Sequence, residues 1–433
     1  MSRSVKLTRH AMNSHADPTN PGHDVDSPYV RYAGPAMLSL ALMDTRNHSL
    51  QWFSRLEALL EAQTYPEPLA RAQGLHPPVW TLGHLGWFQE RWTVRNLQWR
   101  QGRAADGTRT PLASVEPLAD ALWGTLSGTR WDDPMPSPSA VRAYLLETLE
   151  LTLSQLEKAG DDDAALYFFR HVLFQEDLAM ERNWEGAQLL GLPLAAPDMP
   201  VLSPREPLWM RATAWTLGGV VEGYVPDSEW GGKTLQVPEF EIDAQPVTWA
   251  QYAEFVNDGG YDRQEFWSDA GWAWLHSPVA RVGREPGQCA PRFVEQIGRA
   301  SGAVLQTRFG KATRLAGNHP VMHVSWWEAA AYARWVGRRL PDEVEWEVAA
   351  QTATRLGWRW GDVQEWTSTT YRTFPGYTPG PCALPEDAAL TGGGRTVRGA
   401  SFITPGRLRH ARRRVGARPD QDELFVGFRT CAL

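Results

Sequence analysis

The pattern of hydrophobic residues changes abruptly near the middle of the chain, and this change limits what the chain can fold into. Four long segments of the first half carry apolar residues at the spacing of an α-helix, and loops separate them. Long helices joined by loops predict a helical bundle. The predicted helices cover about 36–63, 78–99, 138–159 and 162–190.

The second half has shorter segments, and glycine, proline and tryptophan become frequent. Clear helical periodicity remains only at 326–337 and 342–350, which predicts an irregular domain with long loops. The predicted fold class is therefore α+β. The chain divides into a disordered tail, the bundle, a linker rich in proline and alanine, and the irregular domain, predicted at 1–34, 35–192, 193–207 and 208–433.

Composition and charge narrow the possible partners. The net charge of −7 provides no general attraction for nucleic acid or an anionic membrane. No apolar run reaches 18 residues, and residues 1–28 lack the apolar core of a signal peptide. Cys289, Cys382 and Cys431 are far apart and form no CxxC motif, which favours a reducing compartment. These features predict a cytoplasmic monomer that binds small molecules.

The 22 tryptophans allow two interpretations. Aromatic residues fill hydrophobic cores, and core packing accounts for most of them. They can also line a cleft for a cationic ligand, because quaternary ammonium groups bind to aromatic faces.

His84 lies on an apolar stripe with Trp80, Trp87 and Phe88, which are four residues before it and three and four residues after it. It is therefore expected to face the interior of the bundle, where helical bundles build metal sites. The alternative is a buried histidine with a purely structural role.

His171 and Gln175 are four residues apart and share one helix face with Phe174. Glu176 and Asp177 point in other directions, so neither can take the place of Gln175 without a distortion of the helix. An imidazole is a good ligand for iron, whereas a glutamine amide is neutral and weaker. A weak metal site, a site completed by a carboxylate from elsewhere, and a helix without metal all remain possible.

Three blocks of the second half resemble the formylglycine-generating, sulfatase-modifying factor family, a C-type-lectin-like fold. The longest begins His-Pro-Val-Met-His-Val-Ser-Trp-Trp-Glu, and Ser325 is placed to cap the helix that follows, with Glu328 as its reciprocal partner. The blocks lie at 319–350, 361–367 and 398–402, the last leading to 427–429. The resemblance implies paired cysteines in the true copper-dependent oxidases, and here Thr404 and Arg409 stand there, which excludes thiolate chemistry.

The first half resembles the DinB-like domain of the ergothioneine and selenoneine synthase family, most of all its selenoneine branch. The segments that carry this resemblance are 80–92, 129–131, the His171 helix and, at the C-terminus, 425–431. The resemblance implies a non-heme iron(II), O2-dependent synthase that joins sulfur or selenium to hercynine or a similar histidine betaine. Its substrates would be that betaine and a thiol or a selenosugar. The family's three-histidine iron site corresponds to His84, His171 and Gln175.

The resemblance also implies the roles of other residues. Tyr371 or Tyr377 would donate a proton, since a tyrosine is a suitable donor beside an iron-bound oxygen species. Arg130 would hold the carboxylates of the sulfur substrate. The remaining predicted substrate contacts are Phe174, Val415 and Gly416.

Val415 and Gly416 replace a larger polar and aromatic pair of the family, and they imply space for a betaine bulkier than hercynine. Together with Gln175, this departure supports a second hypothesis. The chain would then be a metal-poor or catalytically altered homologue that acts as a small-molecule binding module.

Arginines are concentrated at 407–418 near the end of the chain. We expect them to pair with Asp420, Asp422 and Glu423, or to bind a carboxylate or phosphate of a substrate.

Overall fold

The computed structural model describes residues 24–125, 130–195, 197–199, 201–219, 222–278, 290–298, 302–383 and 393–433. Thr129, Cys289 and the first 23 residues of the predicted tail lie outside these ranges. The rest of that tail is structured, because Pro28–Tyr32 form a 3-10 helix and Arg31 is buried. The guanidinium of Arg31 pairs with the carboxylate of Glu229 at 2.7 Å.

The N-terminal half is a helical bundle, and its four long helices lie close to the predicted positions, except that the second ends at Trp92 and not near Trp99. Ser137 caps the third of these by accepting the N–H of Ala140 at 3.2 Å, and Asp162 caps the fourth by accepting the N–H of Ala165 at 2.9 Å. The helices are α1 (Pro35–Glu61), α2 (Glu67–Ala72), α3 (Pro78–Trp92), α4 (Ala119–Trp123), α5 (Pro138–Leu156) and α6 (Asp163–Leu189).

The short helix α4 packs closely against α3. A methyl group at Gly83 would lie 2.2 Å from the indole of Trp123, so only glycine allows this approach. Around it, large buried side chains from α1, α3, α4 and α5 form one hydrophobic core. This core includes Phe53, Trp80, Trp87, Trp123 and Leu145.

The second half contains several small sheets, and the combination with the bundle confirms the predicted α+β class. The largest sheet has the order β10-β9-β8-β11, with β8 and β11 parallel and the other pairs antiparallel. The strands are β1 (Leu208–Met210), β2 (Thr213–Gly218), β3 (Gly232–Val237), β4 (Phe240–Ile242), β5 (Val294–Ile297), β6 (Val304–Arg308), β7 (Lys311–Leu315), β8 (Gln364–Thr370), β9 (Arg395–Gly399), β10 (Arg414–Ala417) and β11 (Val426–Phe428).

Of the four α-helices in the described ranges of this half, two were predicted and two were not. Ser325 and Glu328 form the expected reciprocal cap, in which the Glu328 carboxylate accepts the N–H of Ser325 at 2.8 Å. The unpredicted α7 and α8 are short and lie in segments rich in aromatic residues. The helices are α7 (Trp249–Asn257), α8 (Asp269–Leu275), α9 (Trp326–Trp335) and α10 (Glu343–Thr352).

Ion pairs join the two halves, and two arginines of the 407–418 run take part in them, whereas Arg414 of the same run pairs with Glu343 of its own half. Arg407 pairs with Asp177 of α6 at 2.6 Å, and Arg413 pairs with Glu181 of the same helix at 2.5 Å. The arginines were predicted to pair with Asp420, Asp422 and Glu423. In the described part of the chain, the one such pair is that of Arg418 with Asp420, at 3.2 Å. The arginine run is therefore mainly structural.

None of the helices in the described ranges is long and apolar enough to cross a membrane.

Candidate active site

A cavity of about 1040 Å³ opens inside the bundle between α1, α3 and α6. Residues 379–383 of the second domain line one end of it, so both halves of the chain contribute to its wall. Its size is at the upper end of the range for small-molecule sites. The aromatic side chains in its wall include Trp52, Phe53, Trp80, Trp87, Phe88 and Trp92.

His84 lines this cavity and is held in a defined orientation. Its ring stacks between the indoles of Trp80, at 4.9 Å, and Trp87, at 5.4 Å. Its Nδ1 lies 2.9 Å from the carbonyl oxygen of Trp123. A carbonyl can only accept, so Nδ1 carries the hydrogen and Nε2 carries the lone pair. Burial lowers the pKa of His84, which keeps the ring neutral and able to bind a metal.

His171 is buried on α6, and one of its nitrogens is also engaged. Its Nδ1 lies 2.8 Å from the phenol oxygen of Tyr224. Its Nε2 is buried and makes no hydrogen bond with any described residue. Burial lowers the pKa of His171 to about 4. Histidines that bind metals typically have this arrangement, with one nitrogen on a hydrogen-bond partner and the other on the metal.

The rings of both histidines lie beside the ring of Phe88. The centroid of this ring is 6.2 Å from that of His84 and 5.5 Å from that of His171. Gln175, one helical turn after His171, lines the cavity directly. The structure therefore brings the three predicted metal residues to one region of the bundle, although His171 lies behind the cavity wall.

In the described ranges, no three His, Cys, Asp or Glu side chains come together as possible metal ligands. Glu176 lines the cavity, but its carboxylate accepts two hydrogen bonds from the guanidinium of Arg46, at 2.9 and 3.0 Å. Asp177 is bound by Arg407. The predicted metal residues therefore offer two imidazoles and one amide oxygen, and an amide oxygen is a weaker ligand for iron than an imidazole.

The predicted tyrosine proton donors do not line the cavity. Tyr371 is buried beside β10, where the guanidinium of Arg414 lies 4.7 Å from its ring centroid. Tyr377 is in a turn in which its N–H donates to the carbonyl of Phe374 at 3.0 Å. The cavity-lining segment begins at Pro379, two residues beyond Tyr377.

Val415 and Gly416 lie on β10, outside the cavity wall. A methyl group at Gly416 would be 2.7 Å from the ring of Tyr371. The expected space for a larger betaine is therefore absent at this position, because the tyrosine ring occupies it.

Two other predicted substrate residues also lie away from the cavity. The Nε of Arg130 pairs with Asp133 at 2.6 Å, and its Nη2 donates to the carbonyl of Ala121 at 3.0 Å. Phe174 is buried against the ring of Tyr224 at 4.9 Å. The structure therefore places neither side chain where it would contact a molecule in the cavity.

Both halves of the chain match known families. Residues 45–195 match the DinB superfamily, and residues 200–362 match the sulfatase-modifying factor enzyme 1-like domain. Hercynine oxygenase from Mycolicibacterium smegmatis is 30% identical over 417 residues, which cover 82% of this chain and 90% of that protein. The chain belongs to the hercynine oxygenase family. It is therefore an oxidoreductase, and the predicted resemblance is confirmed at the level of this family.

Other relatives agree with this assignment to the hercynine oxygenase family. Hercynine oxygenase from Mycolicibacterium thermoresistibile is 29% identical over 448 residues, which cover 91% of this chain and 94% of that protein. The formylglycine-generating enzyme of Streptomyces coelicolor is 39% identical over only 148 residues, 33% of this chain and 45% of that enzyme. The similarity to this enzyme is limited to one domain. At the two positions where the resemblance to the formylglycine-generating enzymes implies cysteines, this chain has Thr404 and Arg409.

The cavity contains residues that the sequence did not single out. Arg182 lines it and makes no hydrogen bond or ion pair with another residue in the described ranges. It lies seven residues after Gln175, and that spacing on one helix face could have identified it. Cys382 also lines the cavity, and burial raises the pKa of its thiol well above the usual value. No local pattern marks Cys382, because it comes from a loop of the other domain.

Proposed function

We propose that the chain is a mononuclear iron(II), O2-dependent synthase that joins sulfur or selenium to the ring of hercynine or a similar histidine betaine. The observation that carries this proposal is the matched geometry of His84 and His171 beside an aromatic cavity. Each histidine engages Nδ1 in a hydrogen bond and leaves Nε2 available. We further propose that it acts as a monomer in the cytoplasm.

The Nε2 atoms of His84 and His171 would hold the iron, with the amide oxygen of Gln175 as the third protein donor. Bound iron supplies the activation of O2. Because an amide oxygen is a weaker ligand than an imidazole, the metal should bind less tightly than at a site with three histidines.

The cavity wall supports recognition of a betaine. A trimethylammonium group cannot donate hydrogen bonds, so it would be held by aromatic faces of the cavity wall, such as that of Trp52. The guanidinium of Arg182 lines the cavity and suits a carboxylate of either substrate. Of the two predicted proton donors, we retain Tyr377, because it is closer in the chain to the segment that lines the cavity.

The alternative is a binding module without catalysis. It is favoured because, among the described residues, no three His, Cys, Asp or Glu side chains are grouped so that they could hold a metal ion. Such a protein would keep the aromatic cavity and bind a betaine without oxidising it.

One experiment separates the two functions. The protein is purified without oxygen, loaded with iron(II), and incubated with hercynine, O2 and either a thiol or a selenosugar. We expect a product whose mass shows a new C–S or C–Se bond, formed only with both iron and O2. A protein that binds hercynine in calorimetry but forms no product with either donor would support the binding module. Comparison of product formation with the thiol and with the selenosugar shows whether the protein transfers sulfur or selenium.

A further inference from the structure

We infer that Tyr224 of the second domain is a positioning residue for His171 and makes the metal affinity of the bundle depend on its contact with that domain. The inference rests on the proposed function, since it assumes that His171 binds a metal. The observation behind it is the hydrogen bond of 2.8 Å between the phenol oxygen of Tyr224 and Nδ1 of His171.

Contacts of both the ring and the backbone hold Tyr224 in place. Its side chain is 4% exposed, and its ring packs against Phe174 at 4.9 Å. Its backbone N–H donates to the carbonyl of Arg31 at 2.8 Å. The phenol therefore cannot follow a rotating imidazole, and it restrains the ring of His171 instead.

The residue before Tyr224 connects this segment to the helix of His171. Gly223 has a φ of 72°, and its N–H donates to the carboxylate of Asp163 in the first turn of α6 at 2.8 Å. A methyl group at this position would lie 2.7 Å from the carbonyl oxygen of Arg31. Both the backbone conformation and the close approach thus require glycine, and they bring Tyr224 to the buried face of α6.

The hydrogen bond also controls which nitrogen of His171 is free. A phenol can donate or accept. If Nδ1–H donates to Tyr224, Nε2 keeps its lone pair for a metal. If the phenol donates to Nδ1, the hydrogen is on Nε2, which has no acceptor among the described residues. A metal on Nε2 selects the first arrangement, and Tyr224 is the acceptor that this arrangement needs.

Tyr167 provides a matched control. Its ring stacks on that of His171 at 5.9 Å with an interplanar angle of 8°, and it is buried in the same cluster. Its hydroxyl group does not bond to His171. Removal of that hydroxyl therefore changes the surroundings of the histidine without changing its hydrogen bond.

The test compares the full-length chain with its Tyr224→Phe and Tyr167→Phe variants. Iron(II) dissociation constants are measured without oxygen, and the folded state is checked by thermal unfolding. We expect roughly 10- to 100-fold weaker iron binding for Tyr224→Phe, the usual effect of losing the hydrogen-bond partner of a metal-binding histidine. Tyr167→Phe should bind iron like the original chain. Equal iron affinity of Tyr224→Phe and the original chain would overturn the inference.

A second measurement works without metal. The ¹⁵N NMR shifts of the His171 ring report which nitrogen carries the hydrogen, and we expect Tyr224→Phe to change them while Tyr167→Phe does not. If the original chain binds no iron(II), the proposed function fails, whereas the NMR comparison still decides whether Tyr224 positions His171. Unchanged shifts in Tyr224→Phe would show that it does not.

Discussion

The guanidinium of Arg407 donates two hydrogen bonds to the carboxylate of Asp177, at 2.6 and 2.8 Å. Both side chains are almost fully buried, with 1% and 2% of their surface exposed. Asp177 lies on α6, six residues after His171, and Arg407 belongs to the second domain. This acidic residue of the candidate metal helix is therefore part of the contact between the domains and is not available as a metal ligand.

Loss of Arg407 should destabilise the folded chain strongly. Arg407→Met leaves the carboxylate of Asp177 buried without its counter-charge, which typically costs about 3–5 kcal/mol. Urea denaturation measures the change. The control is Arg418→Met, which removes an exposed pair with Asp420 and should cost under about 1 kcal/mol. Similar losses for the two variants would contradict the structural role of the buried pair.

Iron binding should require both histidines. His84→Ala and His171→Ala each remove an imidazole that offers Nε2, so we expect elemental analysis to find no stoichiometric iron in either variant. His276→Ala serves as the control, because that histidine is exposed and bonded to the carbonyl of Trp272. Full iron content in His84→Ala or His171→Ala would exclude that residue as a ligand.

Gln175→His should tighten iron binding. The residue already lines the cavity one turn after His171, and an imidazole is a stronger ligand than an amide. The measurement is the iron(II) dissociation constant, compared among Gln175, His and Ala at this position. The expected order of affinity is His, then Gln, then Ala. If the three proteins bind iron equally, Gln175 does not point at the metal.

Gly416→Ala should lower stability without changing ligand binding. The new methyl group would press on the ring of Tyr371 at 2.7 Å, which is overpacking of a buried site and typically costs about 1–3 kcal/mol. Gly393→Ala is the control, since a methyl group there would meet nothing within 4 Å. Calorimetry with hercynine should give the same affinity for Gly416→Ala and the original chain. A changed affinity would place Gly416 in the binding site.

The Arg31–Glu229 pair should make stability depend on pH in the acid range. Burial alone would raise the pKa of Glu229, but the charge of Arg31 outweighs burial and holds the pKa at about 2, below its usual 4.5. A depressed pKa means that the pair stabilises the fold fully above pH 4.5 and loses this effect as the pH falls toward 2.

Glu229→Gln should therefore be less stable than the original chain by about 3 kcal/mol at neutral pH, the value of a pKa shift of this size. The difference should shrink as the pH falls from about 4.5 to 2. Unfolding curves of the two proteins at several pH values test this. A difference that stays constant across that range would show that the charge of Glu229 is not its cause.

The long helices could be read from the sequence because their signals are local. Apolar spacing and the Ser325–Glu328 cap act within a few residues of one another, so these patterns can be recognised without knowledge of the fold. His84 and His171 could be identified as candidates for the same reason, since each lies in a motif contained in one helix. Short helices such as α7 and α8 have too few turns to produce a clear periodicity.

The partners of those residues depend on the tertiary structure. Tyr224 is 53 residues from His171, and Arg407 is 230 residues from Asp177. No local pattern specifies such pairs, because they form only when the second domain packs on α6. Gly416 is a further example. From the sequence, its missing side chain suggests free space for a ligand, but in the fold the ring of Tyr371 occupies that space. The sequence by itself thus determines the long helices and the positions of the two histidines on them, because both depend on local periodicity. The packing of the two domains decides which groups orient those histidines and which molecules can enter the cavity beside them.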